Sequence, residues 1–198
     1  MVVTTAAARG GPRTAALPGA LAAALVALVA LAALTGCTSA AAGTGAVVIA
    51  AGARQDAPDL SGEDLQGRPA GLAALRGRVV VLDVWGSWCG PCRTEAAGLE
   101  ALHRESAERD VGFLGVNTRD RDRAPARAFE ERYGLTYPSL PDPTGDLLLR
   151  FPEGTLNPQA VPSTLLLDRR GRVAVSIAGP VTPARLRPLI ARLADEAP

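Results

Sequence analysis

Cys89 and Cys92 are the most reactive side chains in the sequence, and only Gly90 and Pro91 separate them. The run before them, Val79-Val80-Val81-Leu82-Asp83-Val84-Trp85, is nearly all β-branched or apolar, as a strand covered on both faces should be. The run after them holds helix formers, so the pair falls where a strand turns into a helix. A cysteine at a helix N-terminus faces unpaired backbone N–H groups and the positive end of the dipole, which favour a thiolate over a thiol. A cysteine one turn further in is near enough to close a small disulfide ring. Pro91 needs no N–H donor in the first helical turn and restricts the backbone there. The chemistry this spacing offers is dithiol–disulfide exchange. A thiol of pKa ~8.5 is about 3% ionised at pH 7, and one lowered to about 7 is half ionised. Nucleophilicity falls with basicity, so the net gain as attacker is only about threefold. The larger benefit lies in leaving-group ability and redox poise.

The other scarce residues exclude competing chemistries. Only Cys37 and the single histidine, His103, could join the pair in a Cys/His zinc cage, and their separations fit no such template. His103 lies in an amphipathic run and reads as a surface histidine. No metal site and no cofactor is expected. The 198 residues are 47% hydrophobic and 21% charged, a globular composition with room for one core-bearing domain. Lys plus Arg number 21 against 20 Asp plus Glu, and no basic block offers a surface for phosphates, so nucleic acid is not an expected partner.

The elements that must position the cysteines alternate in type, the pattern of an α/β unit with a partly parallel sheet. A strand is expected over 78–85, a helix over 91–108 with Ala96, Leu99, Leu102 and Ala107 on one stripe, and a second buried strand over 111–117. Helices are expected over 125–133 and, shorter, over 144–151. Strands over 164–168 and 172–177 flank Arg169-Arg170-Gly171, which suits a hairpin turn. An amphipathic helix over 183–194 closes the chain, and Pro188 inside it should kink or shift it.

Ahead of this unit, Arg9 and Arg13 precede an apolar run from Ala20 to Leu34, too short to span a bilayer comfortably. It ends at Leu34-Thr35-Gly36-Cys37, which resembles a bacterial lipobox. Residues 1–36 therefore read as a lipoprotein signal peptide and Cys37 as the lipidated new N-terminus, with an uncut signal anchor as the other reading. Residues 37–56, rich in Ala, Gly, Ser and Thr, read as a flexible tether, and the folded domain is expected over 57–198.

Strand, Trp88-Cys89-Gly90-Pro91-Cys92, helix, and a later Val161-Pro162-Ser163-Thr164 before a strand together resemble the thioredoxin superfamily. Within it the chain is most similar to the membrane-tethered TlpA/ResA-like thiol–disulfide oxidoreductases, over roughly residues 57 to 196. The resemblance implies a thioredoxin-like α/β fold, a central mixed β-sheet flanked by helices, with an N-terminal β extension and a central insertion within 135–160. It implies a cis bond at Pro162 facing the cysteines, with the backbone of Val161 free to pair with a substrate strand, and Trp88, Gly90 and Pro91 in contact with substrate. Trp85 reads as core. Asp83 sits in an otherwise apolar strand, where an unpaired carboxylate costs several kcal/mol. In thioredoxins the matching acid lies beneath the second cysteine and exchanges its proton. Glu95 matches an acid of the ResA-like branch, and it also suits a first-turn acid that complements the helix dipole.

The activity so implied is that of a lipid-anchored oxidoreductase on the extracytoplasmic face of a bacterial membrane, with protein thiols and disulfides as substrates, apocytochrome c among the candidates. A membrane thiol–disulfide donor would supply its electrons. Gly90-Pro91 between the cysteines resembles reducing thioredoxins and favours a reductase, while an oxidising compartment equally permits an oxidase. A thiol peroxidase of the related peroxiredoxin type would lack the Trp-Cys-Gly-Pro-Cys arrangement. A copper-delivery lipoprotein would need a wider cysteine spacing and a more distant histidine than His103.

Overall fold

The computed structural model describes residues 45–196, so the stretch read as a signal peptide and Cys37 lie outside the described residues. Six strands form one mixed sheet in the order β1-β8-β7-β4-β5-β6. At its centre β4 (Val79–Trp85) and β5 (Val111–Thr118) run parallel and are buried along their whole length. Their run of Val, Leu and Phe follows from being covered on both faces. β6 (Ser139–Asp142) continues the parallel set beyond β5, and β7 (Ser163–Leu167) pairs antiparallel with the other side of β4. β8 (Val173–Ala178) returns along β7 through a turn at Gly171, whose φ of 81° is in the left-handed region that glycine adopts without strain.

Three helices cover this sheet: α1 (Gly90–Ser106), α2 (Arg123–Tyr133) and α3 (Pro183–Ala194). Side chains alternate along β4. Val79 and Val81 pack with Leu99 and Leu102 of α1 and with Leu186 and Ile190 of α3, while Val80, Leu82 and Val84 pack on the opposite face with Leu60, Leu148 and Phe151. The same alternation puts Asp83 and Trp85 on the face of α1 and α3. The mixed sheet flanked by helices is the architecture the sequence implied.

The fold differs from the sequence reading in several places. It begins within the stretch expected to be a tether. β1 (Ala46–Val48) pairs antiparallel with β8, from Ala46 opposite Ile177 to Val48 opposite Val175. The short apolar patch Val47-Val48-Ile49 has enough β-branched character to add an edge strand once β8 is there to receive it. Arg54 secures this start. Its buried guanidinium contacts Asp168 after β7 at 3.1 Å and Glu196 beyond α3 at 2.5 Å, and donates to the Ile49 carbonyl. Arg172 shares Asp168 at 2.8 Å. The rest of the N-terminal β extension is a hairpin of β2 (Ser61–Glu63) and β3 (Pro69–Gly71), closed by Asp64, which accepts from the amides of Gln66 and Arg68.

In place of the helix expected over 144–151 there is only a single 3-10 turn, Leu148–Arg150, so the insertion contributes β6 and loops. Pro188 does not interrupt α3. It is on the exposed face of the helix, as is Ala184, whose carbonyl would have accepted the missing N–H, so water can satisfy that group. His103 is not a free surface side chain. Its ring is half-buried and packs edge-on against Phe113 and Tyr137, with centroids 5.1 and 5.6 Å away.

Removing one partner from a buried ion cluster leaves charge uncompensated. Arg54→Ala is expected to cost about 3 kcal/mol, measured by urea unfolding of the oxidised protein. Arg123→Ala, which breaks a surface contact of 3.9 Å to Glu63, should cost less than about 0.5 kcal/mol in the same assay.

Candidate active site

β4 delivers the chain to a turn, Gly86-Ser87-Trp88, and Cys89 is the N-cap of α1. Its Sγ accepts a hydrogen bond from the Cys92 amide at 3.1 Å, taking the place a cap oxygen would fill, and Pro91 occupies the first turn. Cys89 and Cys92 are joined in a disulfide with Cα atoms 5.3 Å apart. Each is 2% exposed, packed with Trp85, Ala96, Ala126 and Phe129, and Val161 joins the same cluster from the loop before β7. The Val161–Pro162 peptide is cis, as the resemblance implied. Gly90 has no neighbouring atoms where a side chain would project, so one edge of the motif is open.

The turn is held by residues the sequence reading did not single out. The Asp120 carboxylate accepts from the Ser87 amide at 2.8 Å, the Ser87 hydroxyl at 2.6 Å and the Asn117 side-chain amide at 2.7 Å. Trp88 is 47% exposed, donates from Nε1 to the Thr118 carbonyl and lies under the guanidinium of Arg119. A Cβ at Gly86 would come within 2.5 Å of Trp88 Nε1, so the closeness of turn and ring requires glycine there. Trp85 is core, stacked on Phe129 with centroids 4.6 Å apart. No local pattern marks Asp120 or Arg119. Both act from the far end of β5.

On the α1 side of the sheet lie two buried carboxyl groups that interact with each other. Asp83 is 3% exposed, and its Oδ2 accepts from the Tyr137 hydroxyl at 3.0 Å. Glu95, one turn after Cys92 on α1, is 5% exposed, and its Oε2 accepts from the Val181 amide at 2.7 Å. The second oxygen of each, Asp83 Oδ1 and Glu95 Oε1, is buried without a hydrogen-bond partner. Burial pushes both groups well above the ordinary carboxylate range. Repulsion from Asp83 adds to the rise for Glu95, and the bonds from Tyr137 and Val181 offset part of it. A pair in this state titrates jointly and can hold a proton near neutral pH. Glu95 thus faces the interior rather than solvent. Tyr137 was not anticipated, since it reaches Asp83 from 54 residues away in sequence.

The AhpC/TSA family profile matches residues 53–176. The thiol-disulfide oxidoreductase ResA of Geobacillus thermodenitrificans is 35% identical over 126 residues, 64% of this chain and 69% of that protein. The thioredoxin-like protein YneN of Bacillus subtilis is 34% identical over 59% of this chain and 66% of its own length. Among solved structures, a secreted thiol-disulfide isomerase from Corynebacterium glutamicum superposes with a TM-score of 0.71 at 31% identity, covering 80% of this chain and 96% of that one. A DsbF homologue from Corynebacterium diphtheriae gives 0.69 at 29% identity, covering 78% and 96%.

Because the folded chain holds protons on Asp83 and Glu95 more tightly than the unfolded chain does, its stability falls as pH rises from about 4 through their raised pKa values. Asp83→Asn and Glu95→Gln should each flatten this fall and leave the oxidised protein more stable than the parent at pH 8, by an amount of the order of 2 kcal/mol. Urea midpoints measured from pH 4 to 9 check it. Parallel curves for parent and variants would contradict the assignment.

Proposed function

The chain belongs to the AhpC/TSA family and is a thiol–disulfide oxidoreductase with Cys89 and Cys92 as its redox pair, and we propose that it works as a lipid-anchored reductase of protein disulfides outside the cytoplasm. The observation that carries this reading is the placement of Cys89 Sγ at the N-terminus of α1, accepting from the backbone of its own partner cysteine. In the reduced protein the same amide and the helix dipole stabilise a Cys89 thiolate.

The reaction then balances as follows. The Cys89 thiolate attacks one sulfur of a substrate disulfide, forming a mixed disulfide and releasing the other substrate sulfur as a thiolate. Cys92 gives its proton to Asp83 and attacks Cys89 Sγ, which closes the Cys89–Cys92 bond and frees the second substrate sulfur. Two electrons pass to the substrate, and the protein's pair is oxidised. Glu95 holds a further proton close to the pair. Trp88, half-exposed beside Cys89, gives the substrate an apolar landing place, and the backbone at Val161, ahead of the cis Pro162, supports pairing with an extended substrate segment. Gly90-Pro91 favours the reducing direction. Protein disulfides, including that of apocytochrome c, are the substrate class.

Cys37 after Leu34-Thr35-Gly36 is the lipid attachment point in this reading, and residues 1–36 are removed. A membrane thiol–disulfide donor would re-reduce the pair.

Cys92→Ser should accumulate a mixed disulfide through Cys89, and Cys89→Ser should abolish reduction of insulin, a loss of at least about a thousandfold. The potential of the pair against glutathione tests the direction. A value near about −270 mV supports a reductase, and one near about −120 mV reverses the direction to an oxidase. Peroxide turnover without disulfide exchange, or stoichiometric Cu(I) uptake without it, would replace the proposal altogether.

A further inference from the structure

Tyr137 lies just ahead of β6 and is 2% exposed. Its ring is clasped by Phe113 and His103, with centroids 5.7 and 5.6 Å away, and its hydroxyl meets Asp83 Oδ2 at 3.0 Å. Against an ionised carboxylate a phenol is the donor, so one of the two Asp83 oxygens is occupied from a direction that three packed rings hold rigid. Across the ladder from Asp83, Gly115 of β5 adds no side chain, and Thr164 of β7 adds a buried hydroxyl that has no hydrogen-bond partner. α1 brings Glu95 and Cys92 to this face, with His103 and Glu100 further along the helix towards Tyr137, and α3 brings only the apolar Leu186, Ile190 and Leu193. Tyr137 is the only side chain that hydrogen-bonds Asp83 among the described residues.

We propose that Tyr137 is a positioning residue of the exchange reaction: its hydroxyl engages Oδ2 of Asp83 and leaves Oδ1 as the oxygen that takes the Cys92 proton. The assignment rests on the reading of Asp83 as the base. Glu95 is arranged alike, with Oε2 held by the Val181 amide and Oε1 open, so each of the two carboxyls has one anchored and one available oxygen. The proton balance is simple. Cys92 loses a proton to Asp83 Oδ1 as its sulfur bonds to Cys89, and Tyr137 keeps its own proton throughout. The phenol also favours the ionised form of Asp83 and opposes the effect of burial. Without it the base would be protonated over a wider pH range and idle for more of it.

The test is Tyr137→Phe in the full chain, which retains the ring packing. Two quantities are read: the Asp83 carboxyl titration in the reduced protein, by carbon NMR, and the pH dependence of single-turnover release of substrate from the mixed disulfide. Both inflections should move up by about one pH unit, making release about tenfold slower on the acidic side. In an Asp83→Asn background the same substitution should leave the release profile unchanged. An unmoved Asp83 titration overturns the assignment, and so does a moved titration with an unmoved release profile, which would make the hydroxyl structural only. A parent protein that releases no substrate at any pH, with the titration still responding to Tyr137→Phe, counts against the base reading of Asp83 itself.

Discussion

The sulfur of Cys89 occupies the position of a helix cap. A cap normally offers an oxygen to the first unpaired amides of the helix, and here the acceptor is the atom that does the chemistry. Each neighbouring element keeps it there. β4 is buried on both faces, and sliding it by one residue would turn Asp83 and Trp85 into the apolar cluster on the opposite face. Asp120 ties down the turn that follows, Gly86 admits the Trp88 ring, and Pro91 restricts the first helical turn. A thiolate formed at Cys89 meets donors already in position and needs no rearrangement to be stabilised.

A second constraint works against the first. Asp83 and Glu95 lie in the same interior, and their burial disfavours negative charge where the reaction needs a proton acceptor. The protein does not neutralise them with cations. It gives each one neutral donor, Tyr137 or the Val181 amide, and leaves the other oxygen open. By contrast, the buried Arg54 and Asp168 that anchor the N-terminal extension are ion-paired, and the part-exposed Arg172 and Glu196 complete the cluster. The charge of the N-terminal anchor is compensated by opposite charge, and that of Asp83 and Glu95 is not.

Much of this was legible in the sequence because it depends on local pattern. The strand before the cysteines, the helix after them and the closing helix follow from apolar periodicity and from Pro91 and Gly171 as punctuation. Asp83 stood out as a carboxylate in an apolar strand. Non-local relations were not legible. Ala46–Val48 is too short and too plain in composition to declare itself a strand, and only β8 makes it one. Tyr137 has no partner near it in sequence, and Asp120 supports the turn from 33 residues beyond Ser87. Pro188 misled because its cost depends on whether the orphaned carbonyl faces water, which a helical period alone does not specify.

The central claim is that backbone geometry makes one sulfur of the pair the stabilised thiolate. Alkylation of the reduced protein by iodoacetamide across pH 4 to 10, with the modified cysteine identified by mass spectrometry, tests it most directly. The account predicts labelling confined at first to Cys89, with an inflection more than one pH unit below that of a free thiol near about 8.5. Equal labelling of Cys89 and Cys92, with both inflections at the free-thiol value, would contradict it.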